Sequence, residues 1–191
     1  MELVFIHGAN SSSSSWNYAK LFFDGYPKTF IEFDSSVSFQ KNLEQQEEQL
    51  ANKKSIFFIA HSMGGVYAYY LQALLSNVKG GVTLAAPYGG SSISSILKLF
   101  FPGNVLWVDS CVSSPVIRGL QKLTMHPNWH QVVCTTTHTS YTLEPNDGLI
   151  TKYSQMRLEG VNYIDVVDNH SEVLQNDHVI KIIQDIINNT K

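Results

Sequence analysis

The segment Ile56-Phe57-Phe58-Ile59-Ala60-His61-Ser62-Met63-Gly64-Gly65-Val66 carries an apolar run straight into a serine flanked by small residues. A serine at a tight turn between a buried strand and a helix takes a strained backbone conformation that lifts its hydroxyl above the sheet. The residues two before and two after it must be small, because strand and helix nearly touch there. Ala60, Gly64 and Gly65 meet that need. Ala60 stands where the common G-x-S-x-G turn has its first glycine, a change of one methyl group. Ser62 is the candidate nucleophile.

A nucleophilic serine needs a base, an acid to orient that base, and donors for an oxyanion. Two backbone N–H groups usually supply the donors. One belongs to the residue after the nucleophile, here Met63, at the positive end of the following helix. The other is expected from the loop after Phe5-Ile6-His7-Gly8, which makes Ala9 the candidate. Gly8 allows the backbone to come close. His7 reads as a structural residue that holds this loop through hydrogen bonds, not as the base.

These groups need rigid elements beneath them. Leu3–Ile6, Thr29–Phe33, Ile56–Ala60, Val82–Ala85, Gln131–Thr135 and Asn162–Val167 are short, rich in Val, Ile and Phe, and bounded by turn residues, as strands are. Trp16–Phe23, Phe39–Asn52, Gly65–Leu75 and Val179–Ile187 read as helices. In the last, Val179, Ile182, Ile183 and Ile186 share one face, and Asn176 or Asp177 is placed to cap its start. Strands alternating with helices predict a three-layer α/β domain over residues 1–191, with a mostly parallel six-stranded sheet covered by helices on both faces.

Residues 87–130 break the rhythm. They hold helix candidates at Ile93–Phe101 and Val116–Leu123, separated by the turn Pro102-Gly103. The stretch is either a decorated crossover or a cap over the carboxyl edge of the sheet, where open α/β folds bind ligands. Phe100, Phe101, Leu97, Leu99, Trp107 and Trp129 accordingly either line an acyl pocket or form the core of this excursion. Ser11–Ser15 is a low-complexity polar loop.

His7-Gly8, Ala60-His61-Ser62-Met63-Gly64-Gly65, Leu84-Ala85-Ala86-Pro87-Tyr88-Gly89-Gly90-Ser91 and Pro145-Asn146-Asp147-Gly148-Leu149-Ile150, in that order, resemble the lipase and esterase branch of the α/β-hydrolases. The chain starts at the His-Gly strand and so is similar to the minimal bacterial lipases, which dispense with the first two strands of the standard fold. Asp109–Leu120 resembles a pattern that follows the Ala-Pro-x-x-Gly-Ser motif in larger lipase-like relatives. The resemblance implies Ser62 as nucleophile, Ala9 and Met63 as oxyanion donors and Asp147 as acid.

The order Ser…Asp…His is that of the α/β-hydrolases. Asp147 sits in a turn after the fifth strand; Glu144 is a poorer rival, lacking the glycine that follows, and Asp109 reads as a helix cap. His170 stands in the loop just past the sixth strand and is preferred as base over His178, about two turns further on. Family members also place the base in such a His-Ser-Glu loop. His61 fills the variable slot before the serine, commonly a histidine in lipases. His138 follows the fifth strand and either lines the pocket or, as preferred, is a plain loop histidine. His126 and His130 are spaced i, i+4, but Pro127 and the lack of a following Glu argue against a metal site.

The resemblance implies hydrolysis of a carboxylic ester, from a small acyl ester or a lipid, through an acyl-enzyme and with no metal or cofactor. Thioesterase, acyltransferase or peptidase chemistry on the same residues is the alternative, and a catalytically silent binding module is the third. In 191 residues, 43% are hydrophobic and 15% charged, which excludes a disordered chain. A net charge of −3 makes no case for nucleic acid, and no G-x-G-x-x-G or G-x-x-x-x-G-K calls for a nucleotide. No window approaches the roughly 18 apolar residues of a membrane span, and the acidic Glu2 does not suit a signal peptide. Cys111 and Cys134 read as free thiols, so a cytoplasmic setting is expected.

Overall fold

The computed structural model describes residues 1–136 and 144–190. Its frame is a six-stranded sheet in the order β2-β1-β3-β4-β5-β6, with every neighbouring pair parallel. The strands are β1 (Glu2–Ile6), β2 (Lys28–Ile31), β3 (Ile56–His61), β4 (Val78–Leu84), β5 (Trp129–Thr135) and β6 (Asn162–Val167). The helices are α1 (Phe39–Ala51), α2 (Met63–Leu74), α3 (Ser92–Phe100), α4 (Val105–Ser110), α5 (Pro115–Leu120), α6 (Lys152–Gln155) and α7 (Asp177–Asn189).

Strand alternation sorts the core into two faces. Val4, Ile6, Phe58 and Ala60 pack with Phe39, Leu43, Val66 and Leu71 from α1 and α2. Leu3, Phe5, Phe57 and Ile59 pack on the opposite side with Trp16, Val179, Ile180, Ile183 and Ile187. Each buried Val, Leu, Ile or Phe among them contributes roughly 1.5–3 kcal/mol. The three-layer arrangement expected above is the one observed.

Several elements differ from expectation in detail. Trp16–Phe23 forms two short 3-10 turns, Ser13–Trp16 and Ala19–Phe22, instead of one helix. Trp16, Ala19 and Phe23 are buried at helical spacing, but the serine run before them favours turns and caps: the Ser12 hydroxyl accepts the Ser14 N–H. β4 begins at Val78, ahead of the apolar run, because Gly80 and Gly81 belong to the strand. A Cβ on Gly81 would fall 2.7 Å from the Trp129 ring, so a close neighbour removes the side chain that would have marked the strand. In α7 the buried stripe is Val179, Ile180, Ile183 and Ile187, with Ile182 and Ile186 only partly covered. Asn176 caps it, accepting the N–H groups of His178 and Val179.

The excursion is three helices, α4 among them unforeseen. It is tied to the α1–α2 layer at several points. The Tyr70 hydroxyl donates to the Val116 carbonyl at 2.7 Å, and Asp109 Oδ2 accepts the N–H of Phe39 at 2.9 Å. Asp109 thus lies inside α4 and caps α1, not a helix of its own segment. Trp129 is wholly buried, its indole N–H donating to the Tyr88 hydroxyl at 3.0 Å, so it belongs to the core. Leu99, Phe100 and Phe101 are neither pocket nor core: Leu99 is 79% exposed and Phe100 72%. No helix among the described residues is long and apolar enough to cross a membrane.

The chain runs from β1 outward to β2 and then returns to β3 on the other side of β1. The strand order therefore reverses between β1 and β3, and a crevice opens at their carboxyl ends, where α/β sheets place ligands. His7-Gly8-Ala9 leaves β1 there, and Ser62 leaves β3 there.

Candidate active site

Ser62 sits between β3 and α2 with φ 52° and ψ −125°, a conformation few non-glycine residues adopt. The surroundings hold it. Its N–H donates to the Leu84 carbonyl at 2.9 Å, and its carbonyl accepts the Gly65 N–H at 2.9 Å. The small residues are required by contact. A Cβ on Gly64 would lie 2.3 Å from the His7 carbonyl oxygen, and one on Gly65 would lie 2.5 Å from Ala86 Cβ.

His170 follows β6. Its Nε2 lies 2.9 Å from Ser62 Oγ, and its Nδ1 lies 2.7 Å from Asp147 Oδ2. Ser62 and His170 are 108 positions apart in the chain and are brought together by the sheet. Asp147 is 1% exposed, and its charge is met by several donors. Oδ1 accepts the N–H groups of Leu149 at 2.9 Å and Ile150 at 2.6 Å. The turn that supplies those donors passes through Gly148 at φ 96°, a left-handed conformation that suits glycine.

Of the sequence candidates, Ser62, Asp147 and His170 are thus brought together. Glu144 is exposed, and His178 is exposed at the start of α7. His138 lies outside the described residues. Ala9 and Met63 both border the cavity that Ser62 and His170 face. Met63 is the first residue of α2, where backbone N–H groups have no partner within the helix. The loop carrying Ala9 is shaped by Asn10 at φ 52° and by His7, whose Nδ1–H donates to the Gly8 carbonyl at 2.7 Å while its ring stacks on Phe33.

The cavity measures about 490 Å³. Its apolar lining includes Ile93 of α3, Leu106 and Trp107 of α4, and Leu149, Ile150 and Leu174. Residues of the excursion thus border the cavity while the segment is tied to the α1–α2 layer. Among the described residues lining the cavity there is no Lys, Arg, Asp or Glu.

Two residues were not foreseen as parts of this site. Gln155, wholly buried on α6, donates through Nε2 to the Cys134 carbonyl at 2.9 Å and to Asp147 Oδ2 at 3.3 Å, and its Oε1 accepts the Cys134 N–H at 2.8 Å. His61 donates its Nε2–H to the His170 backbone carbonyl at 2.7 Å. Burial, with His170 nearby, pulls His61 down to about 3, so its ring is neutral at ordinary pH. Burial, with Asp147 and Asp168 adding to it, pushes the Cys134 thiol well above its usual range, which leaves it unreactive. Both cysteines are free and buried. Among the described residues no three His, Cys, Asp or Glu side chains gather as a metal site.

No protein-family model matches the chain, and no curated protein matches it in sequence. Solved structures do match in shape. Lipase BlEst2 from Bacillus licheniformis, in its mature form, aligns with a TM-score of 0.74 at 18% identity, over 97% of this chain and 91% of that one. The metagenomic carboxyl esterase MGS0156 gives 0.75 at 16% identity, over 89% of this chain and 64% of that one. Phospholipase PlaB from Legionella pneumophila gives 0.69 at 13% identity, over the full 100% of this chain and 64% of that one. With six parallel strands, helices on both faces and these structural neighbours, the chain has the α/β-hydrolase fold.

Proposed function

We propose that the protein is a serine hydrolase that cleaves carboxylic esters. The observation that carries this reading is the hydrogen-bonded chain Ser62–His170–Asp147, at 2.9 and 2.7 Å, opening onto the cavity. His170 Nε2 takes the Ser62 proton as Oγ attacks the acyl carbon. Asp147 accepts the Nδ1–H, fixing the tautomer that leaves Nε2 free, and stabilises the imidazolium that forms. The carbonyl oxygen, now an oxyanion, rests on the N–H groups of Ala9 and Met63. His170 returns the proton to the departing alcohol, and an acyl-enzyme remains on Ser62. Water, deprotonated by His170, attacks the same carbon; the acid leaves and Ser62 regains its proton.

The cavity supports an ester with an uncharged acyl part, because its described lining offers apolar groups, hydroxyls, amides and imidazoles but no Lys, Arg, Asp or Glu. The names of the structural neighbours, a lipase, a carboxyl esterase and a phospholipase, support the same reaction class. The test is turnover of p-nitrophenyl esters and matched thioesters of graded chain length by the wild type, Ser62→Ala, His170→Ala and His178→Ala. Loss of turnover in the first two variants with the fold retained, and little change in the third, is expected. Activity that survives Ser62→Ala would contradict the reading.

A further inference from the structure

We propose that His61 is a positioning residue for the base: by donating its Nε2–H to the His170 backbone carbonyl, it fixes the loop that presents the imidazole to Ser62. This rests on the reading of Ser62, His170 and Asp147 given above.

Four polar atoms of His170 are each engaged, two by one anchor and two by another. Asp147 accepts the backbone N–H at 2.8 Å through its own carbonyl and lies 2.7 Å from ring Nδ1 through its carboxylate. The dipeptide His61-Ser62 takes the other two: His61 Nε2 reaches the backbone carbonyl at 2.7 Å, and Ser62 Oγ reaches ring Nε2 at 2.9 Å. A ring held only at its tip by a serine and at its base by a carboxylate still follows its backbone. His170 lies in a loop past β6, where the backbone is not fixed by the sheet.

His61 is suited to restrain that loop. It is the last residue of β3, and its backbone is in register with Leu84 of β4, so the donor stands on a strand of the sheet and not on a loop. It is only 7% exposed. Its ring centroid is 4.8 Å from that of His170, and the two planes are inclined at 50°. Gly8 gives the ring its space: a Cβ there would fall 3.0 Å from His61 Nδ1. Being neutral, His61 adds no charge beside the imidazolium that His170 must become. Had the ring carried a proton at working pH, it would have opposed that charge at close range.

The experiment compares two amides of different reach. In His61→Gln the side-chain nitrogen takes the place of Nε2; in His61→Asn it stops near the position of Nδ1. Both are polar and smaller than the imidazole, and near-ultraviolet circular dichroism with thermal melting checks that each folds. With p-nitrophenyl acetate, His61→Asn is expected to lose on the order of 10- to 100-fold in kcat with KM changed by no more than about twofold, and His61→Gln to recover most of the loss. Proton NMR gives a second readout independent of turnover: the His170 Nδ1 proton held by Asp147 should be visible at low field in the wild type and His61→Gln, and weakened by exchange in His61→Asn. Wild-type kcat together with an unchanged low-field proton in folded His61→Asn would overturn the proposal. If the wild type neither turns over esters nor reacts at Ser62, the hydrolase reading fails, while the difference in proton signal between the two variants still decides the role of His61.

Discussion

Asp147 binds His170 twice, once through its carboxylate to the ring and once through its backbone carbonyl to the backbone N–H, at 2.7 and 2.8 Å. The second bond does not depend on the side chain. Asp147→Asn should therefore keep the loop in place while removing the charge that, in the proposed mechanism, stabilises the imidazolium and selects its tautomer. A loss of roughly 10³- to 10⁴-fold in kcat is expected, with a melting temperature close to the wild type. Steady-state kinetics and a thermal melt on the same sample check both halves of the statement.

Gln155 links Asp147 to the backbone of β5. Its amide closes both the N–H and the carbonyl of Cys134, so Gln155→Leu leaves two buried backbone groups unpartnered. A loss of at least about 2 kcal/mol in unfolding free energy is expected from urea denaturation. Gln155→Glu should cost more at neutral pH, because it sets a second carboxylate against Asp147 in a buried site.

The neutral state of His61 makes stability depend on acid. Its folded pKa is held at about 3, below the ordinary value of 6.5, so between those limits the unfolded chain takes up a proton that the native chain refuses. The contribution is fully present above pH 6.5 and is lost as pH falls toward 3, at about 1.4 kcal/mol per pH unit. His126 and His130 are lowered in the same direction by burial, so the wild-type slope includes their share. Urea denaturation at pH 7, 5 and 4 should show a shallower decline in His61→Gln than in the wild type; parallel declines would contradict the assignment of a neutral buried ring.

The turn around Ser62 is constrained by identifiable neighbours. Gly65→Ala should destabilise by about 1–3 kcal/mol, because its new methyl meets Ala86 Cβ, and adding Ala86→Gly should return part of that loss. Gly64→Ala has no such remedy, since its methyl would meet the backbone carbonyls of His7 and Ile6. The interaction free energy from the Gly65–Ala86 double-mutant cycle is the measurement that distinguishes steric contact from a general intolerance of substitution.

The frame of this fold was legible because strands buried on both faces read as apolar runs, and because the serine turn imposes small residues at fixed positions. Asp147 and His170 came from chain order, from resemblance and from their places in a turn after the fifth strand and a loop after the sixth. Gln155 left no mark, because a glutamine becomes significant only when folding sets its amide against β5 and the acid. His61 was visible as a residue type but not as a donor, since its partner lies 109 positions away. α4 escaped notice because Val105-Leu106-Trp107-Val108 is a continuous apolar run without helical period. The exposed Leu99 and Phe100 show the converse: an apolar residue on an amphipathic helix need not be buried.

The central claim is that Ser62 is a nucleophile activated by His170 and Asp147. Its most direct test is to incubate the folded protein with a fluorophosphonate and to locate the adduct by mass spectrometry. The expected result is one adduct per chain, on Ser62, abolished in Ser62→Ala and strongly slowed in His170→Ala. Folded wild-type protein that takes up no label, or carries it at a residue other than Ser62, would contradict the account.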